Sequence, residues 1–143
     1  MIVNVNSLAT LQAEWQGAIR MRERMQQLVI STFAFDPITS PAFGNILYNL
    51  PLLLAFDVLK HVLLQAMEDE QFKSSGQRLS DLMDSAQSSL PWINWRSLRE
   101  AVKRRNEVAH DGKLVGDTQC LQDIADVEAQ LIAWGVLSAA EPK

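Results

Sequence analysis

A single cysteine, Cys120, leaves this chain without an internal disulfide, and no CxxC pair or His/Cys cluster is present at zinc-ligand spacing. That profile fits a reducing cytoplasm, and it predicts neither a metal nor a cofactor. No phosphate-binding glycine loop, dinucleotide fingerprint or Ser-His-Asp arrangement occurs. Positive charge is not in excess either: 13 Lys and Arg against 17 Asp and Glu give a formal net charge of −4. Any nucleic-acid binding must therefore come from a local basic patch, because a global positive field is excluded. The N-terminus carries no positive stretch followed by a long apolar run, so no signal peptide is expected. The most apolar region, residues 50–67, is interrupted by Asp57, Lys60 and His61 and reads as too short and too polar for a membrane span. Strand-like alternation, solenoid repeats and low-complexity tracts are absent as well.

What is present is apolar content. At 48% of 143 residues it suffices for one continuous core, so residues 1–143 read as a single domain. Leu8, Leu11, Trp15, Ile19, Met25 and Val29 recur at spacings of three, four or six, which predicts a long amphipathic helix over residues 7–33 with Ser7 as its cap. Pro37 and Pro41 predict a connecting loop over residues 35–44. Asn49-Leu50-Pro51 reads as the start of a second helix, with proline in its first turn, running to about Glu70. Its apolar arc is wide enough for a central helix covered on both sides, or for one that also meets a partner subunit.

Ser74-Ser75-Gly76 marks a linker to a short third helix over residues 79–88. Pro91 marks the boundary before a fourth helix over residues 92–109, in which Ser97 and Glu100 have capping-box spacing. Gly116-Asp117 opens the last helix, whose Leu121, Ile124, Leu131 and Trp134 share a face until Gly135 closes it. The expected fold is all-α, an up-and-down bundle of about five helices.

The chemistry concentrates at the end of the fourth helix, in Arg105-Asn106-Glu107-Val108-Ala109-His110. Asp111-Gly112 follows directly, and a glycine there stops a helix, so His110 is expected at an exposed terminus. Asn106 and His110 are four residues apart and share a face, which lets the amide orient the imidazole. Arg105 is five residues from His110, roughly 140° around a regular helix, so it shares a site only through its length, through fraying or through a second subunit. Imidazole titrates near neutrality and is able to take a proton from a ribose 2′-hydroxyl. A guanidinium grips a phosphate with two hydrogen bonds and stabilises charge that develops during transesterification.

Charge is distributed to match. From Arg96 to Lys113, six basic residues (Arg96, Arg99, Lys103, Arg104, Arg105 and Lys113) face three acids, whereas beyond Lys113 five acids face one lysine. Arg96, Arg99, Lys103, Arg104 and Lys113 are therefore candidate RNA contacts, although a spacing of three and four also describes an ordinary solvated face. Trp92 and Trp95 are candidates for base stacking, with core or interface anchoring as the commoner role of such residues. Asp57, Lys60, His61 and Glu68 make a narrow polar stripe, by default a solvent-facing or ion-paired edge. A histidine in a last helical turn also has a purely structural use, in favouring the helix dipole.

Arg105-Asn106-x-x-x-His110, on the penultimate helix of a small helical chain, resembles the Arg-x(4–6)-His motif of the HEPN superfamily. The match covers about residues 98–112. The resemblance implies a bundle that homodimerises and brings two motifs into one cleft. It implies a metal-independent endoribonuclease, often a toxin or defence effector with a cognate antitoxin, that cuts RNA by 2′-hydroxyl attack. On that basis Arg105 binds the scissile phosphate, His110 acts as general acid or base, Asn106 positions them, and Asp57 is the supporting acid from an earlier helix. The chain departs from the branch in which a tyrosine two residues after the histidine receives a nucleotide, for it has Gly112 there and its only tyrosine is Tyr48. Other branches are non-catalytic, so the alternative is a dimeric binding or regulatory module that uses the broad apolar face of residues 52–67.

Overall fold

A computed structural model describes residues 4–35 and 40–138, with side-chain surroundings for residues 4–31 and 46–138. Within them the chain is all-α, a bundle of five helices: α1 (Val5–Phe35), α2 (Ser40–Glu68), α3 (Leu79–Ala86), α4 (Trp95–Asp111) and α5 (Asp117–Ala133).

In α1 the buried residues Leu11, Trp15 and Ala18 step by four and three, which makes one stripe, and that stripe packs along α2. The cap is Asn4, not Ser7. The Asn4 Oδ1 accepts the backbone N–H of Asn6 at 2.9 Å and of Ser7 at 3.1 Å, so the helix begins a turn earlier than expected.

α2 departs further from expectation. Residues 40–44 and 49–51, read as loop and helix start, lie inside the helix, and Pro51 falls in its interior; residues 36–39 of the expected loop lie outside the described residues. An interior proline costs about 3 kcal/mol through a lost rung and a clash with the preceding turn. Burying one large aliphatic side chain contributes roughly 1.5–3 kcal/mol. Leu52, Phe56, Leu59, Val62 and Leu63 are all fully buried, so burial outweighs the proline several times over.

This helix contacts all four others and is the centre of the core. By length and composition residues Ile46–Glu68 do suffice to cross a membrane, contrary to the sequence reading, because Asp57 and Lys60 are too few to interrupt so long an apolar stretch. Half of that stretch is buried against the other helices. The apolar face of residues 52–67, expected as a partner surface, is largely inside: Leu52, Ala55, Phe56, Val58, Leu59, Val62, Leu63 and Ala66 are covered by the chain's own helices.

Asn49 has a different use from starting a helix. Its amide donates to the Val115 carbonyl at 2.8 Å and accepts the Val115 N–H at 2.9 Å, clamping the α4–α5 connection onto α2. Asn49→Ala strands a buried N–H and leaves the Val115 carbonyl only the weak Cys120 thiol, 3.4 Å away. A stranded buried group costs about 1–3 kcal/mol, so urea unfolding should show a loss of about 2–3 kcal/mol. A change below about 0.5 kcal/mol would show that the clamp is dispensable.

The other end of the bundle is fixed by the α3–α4 connection. Buried Gln130 accepts the Ile93 N–H and donates to the Pro91 carbonyl, which also takes the Trp134 indole N–H at 2.8 Å. Trp92 packs edge-on against Trp134 at 4.7 Å and donates to the Ala86 carbonyl, and Trp95 packs against the core. Both tryptophans serve as anchors in this arrangement. α4 starts at Trp95 after Asn94, so Ser97 and Glu100 sit within its first turns and not at a cap.

Candidate functional site

α4 ends where the sequence says it should. Gly112 adopts a left-handed conformation at φ 65°, and its N–H and that of Lys113 both return to the Glu107 carbonyl. This places His110 in the last turn, exposed to solvent. Clamping of Val115 by Asn49 holds the segment just beyond it, so the imidazole sits on a fixed helix end.

Arg105, Asn106 and His110 line one open cleft of about 580 Å³ together with Lys60 of α2, Arg78, and Leu79 and Ser80 at the start of α3. Arg105 and His110 border the same cleft within one chain despite the 140° offset between them on a regular helix. The Arg105 side chain is 19% exposed; its guanidinium donates through Nη1 to the Asn106 Oδ1 at 3.2 Å and reaches the Asp57 Oδ1 from Nη2 at 3.5 Å. Asn106 therefore orients the guanidinium, where the spacing had suggested the imidazole. The Arg105 Nε is buried with no hydrogen-bond partner.

Asp57 is half exposed and approaches Arg105 from the side of α1 and α2, outside the cleft lining. Its stripe neighbour His61 is engaged elsewhere, with Nδ1 2.8 Å from the Glu14 Oε2 of α1. Among the described residues no group of three His, Cys, Asp or Glu is placed to hold a metal ion.

The five expected RNA contacts separate by environment. Arg96 and Lys103 are exposed. Arg99 pairs with Asp84 and Lys113 lies 3.5 Å from Glu107 at the surface. Arg104 makes two hydrogen bonds, at 3.0 and 2.8 Å, to Asp123, whose carboxylate is fully buried and also accepts from Gln119. The Asp123 hydrogen bonds raise the Arg104 pKa further, against the lowering effect of its partial burial. Arg104 thus ties α4 to α5.

Replacing Asp123 by Asn turns one acceptor oxygen into a donor that faces the guanidinium; we expect a loss of about 2–4 kcal/mol. Arg104→Ala should cost at least as much, since it leaves a buried carboxylate short of a counter-charge. Chemical denaturation checks both, and losses under 1 kcal/mol would return Arg104 to the surface-contact class.

Sequence reasoning missed Arg78 altogether and placed Lys60 only on a polar edge. Arg78 carried no helical-periodicity signal, because it stands in a connection whose path depends on the packing of α3. Asp123 was missed too, though a signal for it exists: it stands three residues after Cys120, next to Ile124 and four before Val127 on the buried face of α5, where an acid needs a cation. Cys120 itself is buried, and desolvation, with the Asp123 and Asp117 charges, pushes its thiol up to about 12, so it is no nucleophile at neutral pH. No family model, curated protein or solved structure matches this chain.

Proposed function

We propose that the chain is a metal-independent endoribonuclease of the HEPN type, working as a homodimer on single-stranded RNA. One observation carries this reading: an exposed imidazole and a positioned guanidinium line the same open cleft, and no carboxylate lies among the lining residues. His110 takes the proton of a ribose 2′-hydroxyl, the 2′-oxygen attacks the adjacent phosphorus, and a proton is returned to the departing 5′-oxygen. Arg105 binds the non-bridging oxygens as charge develops on them. Asn106 and Asp57 hold the guanidinium and act as positioning residues. The products are a 2′,3′-cyclic phosphate and a 5′-hydroxyl.

A composite dimer site has its own support. Asn49 and Val115 are joined at the end of the bundle that carries His110, and the flanking side chains of Ile46, Leu50 and Leu114 are exposed large hydrophobics. Leu28 and Ile30, toward the α1–α2 connection, are exposed too. An apolar surface beside a polar cleft suits a second copy. The same surface also favours the second reading, a dimeric module without catalysis.

Purified chain with single-stranded RNA in EDTA separates the two. The nuclease reading expects fragments ending in 2′,3′-cyclic phosphate that disappear with His110→Ala. Intact RNA at high enzyme concentration, or cleavage that survives the substitution, rejects it.

A further inference from the structure

The cleft holds more positive charge than one scissile phosphate requires. Lys60, Arg78 and Arg105 converge on it from α2, from the residue preceding α3 and from α4, beside His110, in a chain whose net charge is −4. Of the three, only Arg105 has a carboxylate partner, Asp57; among the described residues Lys60 and Arg78 make no ion pair. Like charges gathered in a concave site repel one another, and the repulsion is relieved when an anion enters. The cleft volume of about 580 Å³ lies within the range of ligand-sized pockets.

We infer that Lys60 and Arg78 form a second phosphate-binding station next to Arg105, so that the cleft takes an oligonucleotide through at least two neighbouring backbone phosphates. The inference rests on the nuclease reading for its substrate class. Arg105 and His110 serve the phosphate at the point of reaction, while Lys60 and Arg78 grip the adjoining one and touch no reacting atom. Lys60 and Arg78 thereby set affinity and the minimum substrate length, and the two phosphates fix the strand on either side of the attacked ribose.

The probe is a fluorescently labelled 2′-O-methyl oligoribonucleotide, which keeps the backbone charge and lacks the nucleophile. Its binding is followed by anisotropy across a salt series for the wild type, Lys60→Gln, Arg78→Gln, the double variant, and Arg24→Gln as an exposed cation on α1. Each cleft variant should weaken binding about five- to tenfold at low salt, and each should flatten the slope of log K against log salt by about 0.7, the value for one single-strand phosphate contact. Arg24→Gln should leave both quantities unchanged. Circular dichroism verifies that the variants are folded.

Cleft variants that bind like the wild type, or that weaken binding no more than Arg24→Gln does, overturn the inference, as does a wild type that does not bind the probe. Cleavable RNA then separates the two levels. Expected binding without any cleavage sinks the nuclease reading and leaves the phosphate station standing; cleavage with unchanged KM in the double variant sinks the station alone.

Discussion

On the proposed nuclease reading, His110→Ala should lower the rate of RNA cleavage by about 10²- to 10⁴-fold, the usual contribution of a positioned general acid or base. Folding should hardly respond. The imidazole is exposed in the last turn of α4, where a histidine contributes about 0.3–1 kcal/mol through the helix dipole. A domain with a stability of about 5–15 kcal/mol stays folded after such a loss. Activity and stability are thereby uncoupled at this position, and that separates catalysis from capping: a capping histidine would lose the fraction of a kcal/mol and no rate. Single-turnover cleavage measured beside urea unfolding gives both numbers from one preparation. A rate within threefold of the wild type overturns the assignment.

Arg105 should behave differently. It is four-fifths buried and bonded to Asn106 and Asp57, so Arg105→Ala is expected to remove activity and also destabilise the bundle. Arg105→Lys is the sharper variant. It keeps the charge but loses the planar fork that holds two oxygens at once, and should recover stability more fully than rate.

The placement of these residues was legible in the sequence because the pattern that fixes it is local. Three, four and five residue offsets on one helix, and a glycine one step past a polar residue, fix where His110 lies and which way the chain turns after it. The helices α1, α3, α4 and α5 were legible for the same reason, in apolar stripes of helical period. The body of α2 was legible too, but its start was not, because its two informative residues carry tertiary roles. Pro51 reads as a first-turn proline unless one knows that fully buried neighbours offset its cost. Asn49 reads as a cap unless one knows that Val115 lies opposite, 66 residues away in sequence. The cleft was half legible. Its α4 wall follows from the motif, whereas Lys60 and Arg78 arrive from elements whose mutual placement no local pattern encodes. Arg104 shows the converse, a basic residue that looks free on a charge map and is bound to a buried acid.

Leu59→Asp should abolish folding altogether. From sequence the position belongs to a broad apolar face offered to a partner, and the substitution would then only break an assembly. In the structure Leu59 has no exposure and sits where α2 is enclosed by the other helices. Removing its side chain forfeits about 2–5 kcal/mol, and placing a carboxylate there adds several more, unless the group takes up a proton at similar expense. The sum approaches or exceeds the total stability of a domain this size. Size-exclusion chromatography and thermal melts should therefore find no cooperative transition. Leu114→Lys provides the contrast, since Leu114 is about half exposed beside the Asn49–Val115 clamp and tolerates charge without burying it. That variant should still melt cooperatively and, on the proposed dimer, should shift the chain toward monomer, losing only the stability that association itself contributes. A folded Leu59→Asp monomer would mean that α2 is an interface after all. A Leu114→Lys variant that remains dimeric would move the second copy away from the cleft and with it the composite site.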